Sequence, residues 1–307
     1  MLAVVVRAIG GPEVVEVAEV PRANPGPGQV RIKVAAAALN PADAAVWMGV
    51  WGPVEDGQHL GVGLDAAGTV DAVGLGVARA VGTPVIAFDA TIRRPVKAQA
   101  EYLVVDDFAV APAPAGMDAS LAATIPLNAM TASQALDHLP MRPRDTLLVT
   151  GAAGAVGGYA IELARTRGVR TIALGRPEDG ELLLGLGATS FVPASEDVAA
   201  AVRQLVPDGV DGVLDAAALG DAAIGAVRDG GTFVSVRLDV IPATQRGINV
   251  RHTTATPEAA RLAYLSALAE VGLLTPRVAR TYPLSQAAEA HARLIQGGRR
   301  GRIVLLP

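Results

Sequence analysis

A glycine-rich turn has the clearest chemical meaning in this sequence. It runs Val149-Thr150-Gly151-Ala152-Ala153-Gly154-Ala155-Val156-Gly157-Gly158. An apolar run before it predicts a buried parallel strand, and the residues after it predict a helix. Glycines at such a turn let the backbone approach a pyrophosphate, which free N–H groups and the helix dipole then stabilise. The Gly-x-x-Gly-x-x-Gly spacing is weak alone and gains its meaning from this strand–turn–helix context.

The next predicted strand, Thr171–Leu174, carries information on the choice of dinucleotide. An acid after this strand bonds the ribose 2′-hydroxyl of NAD, whereas a nearby arginine accommodates the 2′-phosphate of NADP. Gly175 stands where the acid is expected, and Arg176 follows it directly. We therefore predict NADPH as the cofactor. Glu178 and Asp179 argue in the other direction, because carboxylates repel a phosphate unless they point away.

Length and composition limit the function classes. A chain of 307 residues suits two domains. No apolar run approaches the roughly 18 residues of a membrane span. The start, Met1–Arg7, lacks the basic region of a signal peptide, so we expect a cytoplasmic protein with no membrane partner. The net charge is −4 without a basic stripe, which argues against nucleic acid as a partner.

Cysteine and histidine usage bears on metal chemistry. The chain has no cysteine, which excludes disulfides, thiolate nucleophiles and Cys-ligated zinc. The four histidines show no ligand spacing, and we predict that they are surface or structural residues: His59, His138, His252 and His291. The sequence therefore predicts no metal site.

The pattern of elements changes along the chain. The first hundred residues hold short β-type runs separated by glycine and proline, which predicts a small β-barrel-like domain. From about Thr124, strands alternate with helices, which predicts a parallel sheet with right-handed crossovers. Its predicted strands are Thr146–Val149, Thr171–Leu174, Ser190–Val192, Gly212–Leu214 and Thr232–Val236, with Ile248–Arg251 as a candidate edge. Gly230-Gly231 predicts a sharp turn, and the strand Arg302–Leu306 is expected to return to the first domain.

Eight segments in order carry a resemblance to a known family. They are Ala38–Asp43, Gly63–Val70, Ala100–Val105, Ile125–Ala132, the glycine turn, Leu186–Thr189, Arg228–Thr232, and Tyr282–Leu284 followed by Gly301–Leu305. Together they resemble the zinc-independent quinone oxidoreductase branch, the ζ-crystallin-like reductases, of the medium-chain dehydrogenase/reductase superfamily. The resemblance covers nearly the whole chain.

The resemblance implies an α/β architecture of two domains. One is a GroES-like β-rich catalytic domain, expected at residues 1–123 and 272–307. The other is a Rossmann domain with a doubly wound parallel sheet that binds NADP, expected at residues 124–271. The resemblance also implies an active site in the cleft between the domains, no zinc, and homodimers that join their sheets edge to edge.

Two residues form the predicted catalytic set. Asn40 is a candidate donor to the oxyanion of the product, by resemblance and because its amide donates without titrating. Asp43 either caps a helix after Pro41 or takes part in proton supply, and we favour the cap. Asp65 stands where many relatives carry Glu, and we predict a structural acid that bonds backbone.

The region after Asp43 holds tryptophans where many of these reductases carry a tyrosine. Trp47 and Trp51 are spaced to share one helix face, so they are either core residues or a wall that stacks on a flat substrate. We predict Trp47, Trp51 and Asn128 as substrate-binding residues. The predicted cofactor-binding residues are Thr131, Gly151, Ala152, Ala153, Gly154, Ala155, Val156, Gly157, Gly175, Arg176, Ala216 and Ser235.

The implied reaction is zinc-independent hydride transfer from NADPH to a small-molecule quinone or α,β-unsaturated carbonyl. No tyrosine, cysteine or histidine is evidently placed as a proton donor, so water is the expected proton source. Two other functions stay open at this stage: an enoyl-thioester reductase of a biosynthetic pathway, and a non-catalytic NADPH-binding protein. Fold and cofactor do not decide among them, because function resides in the site.

Overall fold

The computed structural model describes residues 1–307, which divide into two units. The first unit comprises Met1–Leu127, Pro257–Val271 and Pro276–Pro307. The second comprises Asn128–Thr256 and Gly272–Thr275. The segment Pro257–Val271, which the sequence analysis placed in the dinucleotide domain, therefore belongs to the first unit.

The chain contains sixteen strands and nine α-helices. The strands are β1 (Leu2–Val6), β2 (Val15–Glu19), β3 (Gln29–Ala38), β4 (Leu60–Gly61), β5 (Asp65–Val73), β6 (Pro84–Phe88), β7 (Tyr102–Asp106), β8 (Val110–Pro112), β9 (Thr146–Thr150), β10 (Arg170–Gly175), β11 (Ser190–Pro193), β12 (Val210–Asp215), β13 (Val227–Ser235), β14 (Asn249–His252), β15 (Val278–Pro283) and β16 (Arg302–Leu306). The helices are α1 (Ala44–Trp47), α2 (Ala119–Ala122), α3 (Pro126–Asp137), α4 (Ala155–Thr166), α5 (Gly180–Gly185), α6 (Val198–Arg203), α7 (Asp221–Ile224), α8 (Ala259–Glu270) and α9 (Ala287–Ile295).

The first unit is built on β-sheets. A three-stranded sheet has the order β2-β1-β4, and a seven-stranded sheet has the order β15-β16-β3-β5-β6-β8, with β7 paired to β3. The long strand β3 lies at the centre of the larger sheet. Its last residue, Ala38, pairs with Asp65 of β5 on one side and with Val304 of β16 on the other. This register brings together three segments that are far apart in sequence, and polar residues gather there.

The second unit holds a six-stranded parallel sheet in the order β11-β10-β9-β12-β13-β14. From β9 the chain adds strands first to one side and then to the other, so a topological switch point lies between β9 and β12. In open α/β sheets, ligands bind outside the carboxyl ends of the strands at such a point. The glycine turn follows the carboxyl end of β9.

Most predicted strands are confirmed, including the edge position of β14 and the return of β16 to the first unit. The predicted sharp turn at Gly230-Gly231 lies within the bounds of β13, where neither glycine pairs with β12 or β14 and regular pairing begins at Thr232. The strand accommodates them with a left-handed φ of 70° at Gly230 and a register shift against β12.

Helix α8 packs against the end of β8 in the first unit. Its Ser266 Oγ donates to the Pro112 carbonyl at 2.7 Å, and its Glu270 carboxylate accepts the Ala115 N–H at 2.9 Å. These contacts explain why α8 clusters with the first unit although it follows the parallel sheet in sequence. None of the helices is long and apolar enough to cross a bilayer.

Candidate functional site

The turn after β9 has the local geometry of an anion cradle. Gly151 has a left-handed φ of 57°, and the Gly154 N–H donates to its carbonyl at 2.9 Å. Helix α4 then begins at Ala155, with Gly154 as an extended N-cap that offers no side-chain acceptor. The first N–H groups of a helix have no acceptor within the helix itself. This end of α4 therefore suits an anionic ligand.

Close backbone approach accounts for the glycines of the turn. A Cβ at Gly157 would lie 2.5 Å from the Gly151 carbonyl oxygen and 2.7 Å from the Cα of Ala152. A Cβ at Gly151 would lie 3.0 Å from the carbonyl carbon and oxygen of Ala216. The turn is thus packed directly against the start of the loop after β12, which brings the predicted cofactor residue Ala216 beside Gly151.

The loop after β12 is held by a buried acid that the sequence analysis missed. Asp215 accepts the Thr150 hydroxyl at 2.5 Å and the N–H groups of Leu219 and Gly220 at 3.1 and 2.9 Å. An acid that ends an apolar strand beside a glycine turn is a signal that could have indicated it. Asp215 positions the loop that borders the cradle.

The Ser235 hydroxyl serves the loop after its own strand. It donates to the Arg237 carbonyl at 2.8 Å and accepts the Arg237 N–H at 3.0 Å. Ser235 is fully buried at the carboxyl end of β13. Its hydroxyl is engaged with Arg237, and its predicted cofactor role stays a prediction.

The end of β10 presents an exposed arginine. The Arg176 side chain is 58% exposed, and its Nη1 lies 3.9 Å from the Glu178 carboxylate. Asp179 is buried, and its Oδ2 accepts the backbone N–H of Arg176 at 3.0 Å. One of the two carboxylates that argued against a phosphate at this place is therefore turned inward, where it shapes the loop.

In the first unit, a second polar cluster lies where β3, β5 and β16 meet. The Asn40 amide donates to Asp65 Oδ2 at 2.8 Å and accepts from Arg302 Nη2 at 2.6 Å. The other Asp65 oxygen accepts the Leu127 N–H at 2.8 Å. Asn40, Asp65 and Arg302 are all buried. The predicted role of Asp65, a structural acid that bonds backbone, matches this contact.

Hydrogen bonds extend this cluster to helix α9. Asp43 Oδ2 accepts the Asn40 N–H at 2.8 Å and the Gln99 amide at 3.2 Å. His291 Nε2 lies 2.9 Å from Gln99 Oε1, and the Trp47 indole N–H donates to His291 Nδ1 at 3.2 Å. We refer to the residues Trp47, His291, Gln99, Asp43, Asn40 and Asp65 as the buried polar chain.

Comparison with known protein families matches both parts of the chain. Residues 26–117 match the alcohol dehydrogenase GroES-like domain, and residues 186–305 match the zinc-binding dehydrogenase family. A quinone oxidoreductase of Pseudomonas aeruginosa is 31% identical over 98% of this chain and 98% of its own length. The chain belongs to the quinone oxidoreductase branch of the medium-chain dehydrogenase/reductase superfamily.

Two further relatives differ in how much of their length this oxidoreductase matches. The chloroplastic NADPH-dependent alkenal/one oxidoreductase of Arabidopsis thaliana is 30% identical over 91% of the chain and 72% of its own length. The spectinabilin polyketide synthase system protein NorB of Streptomyces orinoci is 32% identical over 91% of the chain. The match spans 13% of that synthase.

Solved structures agree with the family assignment. An NAD-dependent alcohol dehydrogenase superimposes with a TM-score of 0.89 at 33% identity, with both chains covered in full. A mycobacterial protein complexed with NADPH superimposes with a TM-score of 0.85 at 27% identity, again over the full length of both chains. The fold is therefore that of the superfamily, with a GroES-like unit and a Rossmann-like unit.

Zinc-dependent members of the superfamily raise the question of a metal in this oxidoreductase. The chain lacks cysteine, and no group of three or more His, Asp or Glu side chains is placed to hold a metal ion. Two histidines, His138 and His252, do line one surface cavity of about 320 Å³. Its other lining residues are Ile241, Val250 and Arg251, so it offers no further ligand.

Burial shifts the titration of three members of the buried polar chain. Desolvation raises the pKa of Asp65 to about 7, although hydrogen bonds from Asn40 and Leu127 oppose it. Desolvation likewise raises the pKa of Asp43 to about 6 against the hydrogen bond from the Asn40 N–H. Burial lowers the pKa of His291 to about 4, so the imidazole is neutral at physiological pH.

The structure gives Asn40 a role different from the predicted one. The side chain is wholly buried, and its amide already donates to Asp65 and accepts from Arg302. An oxyanion donor must present its N–H to the ligand. This geometry corrects the prediction of Asn40 as an oxyanion donor. Its side chain instead links Asp65 of β5 to Arg302 of β16. Asp43 accepts the Asn40 N–H at the start of the short turn Pro41–Asp43, but as the N-cap of α1 its side chain makes no capping hydrogen bond, so the favoured capping interpretation holds for the turn alone.

The two tryptophans have different environments. Trp47 is 1% exposed in a core cluster of the first unit, and its ring meets His291 edge-on at 6.4 Å between centroids. The substrate-wall interpretation is therefore wrong for Trp47. Helix α1 ends at Trp47, so Trp51 lies beyond it, partly buried against the same cluster. Its carbonyl accepts from Arg93 at 3.0 Å, and its role as a substrate contact stays a prediction.

Helix α3 carries two further predicted site residues. Asn128 lies in its first turn and Thr131 in the next, and both are largely buried. Their predicted contacts with substrate and nicotinamide stay predictions.

Gly157→Ala tests the close approach in the cradle. The added methyl meets backbone atoms that cannot rotate away, so we expect a loss of about 1–3 kcal/mol in the free energy of unfolding. The matched control is Gly185→Ala in α5, where a Cβ meets nothing within 4 Å. That change should raise stability by about 0.5–1 kcal/mol, because alanine is the better helix former. Denaturant titration measures both, and equal effects would contradict the packing argument.

His291→Gln tests the neutral imidazole in the buried polar chain. Below pH 6.5 the unfolded chain protonates His291, whereas the folded chain resists protonation down to about pH 4. The wild type should therefore lose stability relative to the variant as the pH falls through this window, by at most about 1.4 kcal/mol per pH unit. Denaturant titrations across the window measure the difference.

Asp43 and Asp65 titrate in both the wild type and His291→Gln. Their contribution to the pH dependence of stability therefore largely cancels in the difference between the two proteins. The matched control is His138→Gln, which removes an exposed imidazole. A difference between wild type and His291→Gln that does not change with pH would show that His291 titrates freely.

Proposed function

We propose that this oxidoreductase transfers a hydride from NADPH to a quinone or to an α,β-unsaturated carbonyl. The observation that carries the proposal is the cradle at the end of β9 with an exposed arginine at the end of β10. The relatives named quinone oxidoreductase and alkenal/one oxidoreductase support this reaction class. We propose that the reaction needs no metal.

Cofactor choice rests on Arg176. In this fold a pyrophosphate on the cradle places the adenine ribose near the end of the next strand, where an arginine accommodates a 2′-phosphate. Arg176 is exposed there, and the inward-turned Asp179 does not compete with a phosphate. One structural neighbour binds NADPH and another is NAD-dependent, so the fold alone leaves the choice open.

The chemistry divides between cofactor and protein. When bound, a reduced nicotinamide supplies the hydride for an electron-poor π system. The protein orients the acceptor and donates hydrogen bonds to the oxygen that gains charge. We propose that Asn128 makes such a contact with the substrate, that Thr131 contacts the nicotinamide, and that Trp51 is an apolar contact to the substrate. Solvent then delivers the proton to the product oxyanion or enolate.

An enoyl-thioester reductase is the second candidate. The 32% identity to a segment of a polyketide synthase protein favours it, because such systems build acyl chains on thioesters. The hydride would then reach the β-carbon of an enoyl thioester.

We also propose a cytoplasmic homodimer. The free edge of β14 supports it, since this strand pairs with β13 on one side alone. An unpaired edge is a ready template for a second strand.

The proposed reaction predicts NADPH oxidation with a short panel of acceptors. A simple quinone, an alkenal and a crotonyl thioester are compared by the loss of nicotinamide absorbance. We expect the quinone or the alkenal to be reduced fastest, and activity should survive prior dialysis against a chelator. Fastest turnover of the thioester would favour the second candidate. No turnover of any acceptor would favour a protein that binds NADPH without catalysis.

Arg176→Ala should discriminate between the two dinucleotides. A hydrogen bond to a charged group is worth about 1.5–3 kcal/mol, so the Kd for NADPH should rise about ten- to a hundredfold. The Kd for NADH should stay nearly unchanged. Arg142→Ala is the matched control, because it removes an exposed arginine before the amino end of β9, away from the cradle. Equal losses for both dinucleotides would contradict the assignment.

A further inference from the structure

The first turn of α3 is fixed by a carboxylate from a distant strand. Helix α3 begins at Pro126, and the N–H of Leu127 donates to Asp65 Oδ1 at 2.8 Å. Asp65 lies at the start of β5, 62 residues earlier in the chain. First-turn N–H groups have no acceptor in their own helix, and a negative charge is favoured at this end of the helix dipole.

The surroundings of Asp65 suit a carboxylate rather than a carboxylic acid. The partners of Asp65 at hydrogen-bond distance, Leu127 N–H and Asn40 Nδ2, are both donors. The Asn40 amide cannot turn its oxygen toward Asp65 without losing Arg302, which lies 2.6 Å from that oxygen. A proton on Asp65 would therefore meet donors instead of acceptors.

We propose that Asp65 is a positioning residue for the reductase reaction, and that its ionised carboxylate holds the first turn of α3 and thereby sets Asn128 and Thr131. The proposal rests on the proposed function, which assigns those two side chains to substrate and nicotinamide. Asp65 itself touches neither.

Three other charged groups act on Asp65. The positive charge of Arg302 favours its ionised form, whereas the nearby Asp43 opposes it. Lys97 is buried in the same unit, and the negative charge of Asp65 raises the pKa of Lys97 against a larger lowering by burial. Desolvation dominates and raises the pKa of Asp65 to about 7. The hold on α3 should thus weaken as the pH falls from about 8 to about 6.

Asp65→Asn tests the proposal through kinetics. The new amide directs an N–H donor at the Asn40 amide, which is itself a donor, so one hydrogen bond is lost. Because that bond was made to a charged group, we expect kcat to fall about ten- to a hundredfold. The KM for NADPH should change less than about threefold. The fall of kcat between pH 8 and 6 should also disappear, since an amide does not titrate. A purely structural role would not remove that pH dependence.

Asp118→Asn is the matched control. Asp118 caps the first turn of α2 through the Ser120 N–H at 2.8 Å and is exposed. Its replacement removes a carboxylate from a helix start without touching α3, so kcat and its pH profile should stay those of the wild type. A kcat of Asp65→Asn within about twofold of the wild type would overturn the proposal.

Hydrogen exchange on the wild type gives a readout that does not depend on activity. Protection of the amides at the start of α3 should fall as the pH drops from 8 to 6, after correction for the intrinsic exchange rate. Protection at the start of α2 should not change. The carboxylate there, Asp118, accepts hydrogen bonds from Ser120 that hold its pKa below the usual value. Constant protection of α3 would overturn the proposal even if Asp65→Asn fails to fold.

The double variant Asn40→Asp/Asp65→Asn restores a matched pair. Position 40 then accepts from Arg302 and from the amide at position 65, whose oxygen accepts the Leu127 N–H. We expect the exchange protection of α3 and the unfolding midpoint to recover relative to Asp65→Asn, which would show coupling between the two sites. No recovery would overturn the hydrogen-bond assignment. If the wild type reduces no acceptor, the proposed function fails while the exchange data still test Asp65.

Discussion

Asp65 lies wholly inside the first unit, where a carboxylate has lost its water and is stable only if other donors replace it. Two donors do so: the Leu127 N–H and the Asn40 amide. The Asn40 amide is in turn oriented by Arg302, which the return of β16 to the sheet delivers. The register of β3 with β5 and β16 and the start of α3 therefore depend on one another through a single buried charge.

The cradle in the second unit depends on a different constraint, the space between two backbones. Gly157 sits so close to the carbonyl of Gly151 that no side chain fits between them. Asp215 fixes the neighbouring loop by accepting three of its N–H groups, and Thr150 links that acid to β9. A dinucleotide would thus meet preformed backbone donors. Their conformational entropy is lost on folding, so it does not weaken binding.

The sequence predicted those features that depend on local pattern. The strand Arg302–Leu306 has the predicted bounds, because an apolar run between glycines and prolines is a local signal. Gly230-Gly231 lies within the bounds of β13, which the local preference of glycine for turns did not indicate, although neither glycine pairs with β12 or β14. Contacts between distant residues were out of reach, and the hydrogen bond from Leu127 to Asp65 spans 62 positions.

Residue type alone also misassigned one predicted catalytic residue and one predicted substrate-binding residue. Asn40 and Trp47 both have side chains that could meet a substrate, yet each uses its polar atoms inside the protein. The same burial that removes them from chemistry gives Asp65 its sensitivity to pH. Its raised pKa means that the folded state gains stability when the acid is protonated, as the pH falls from about 7 toward 4. The hydrogen-bond geometry needs the ionised form, so near pH 7 stability and the ordered start of α3 favour opposite protonation states.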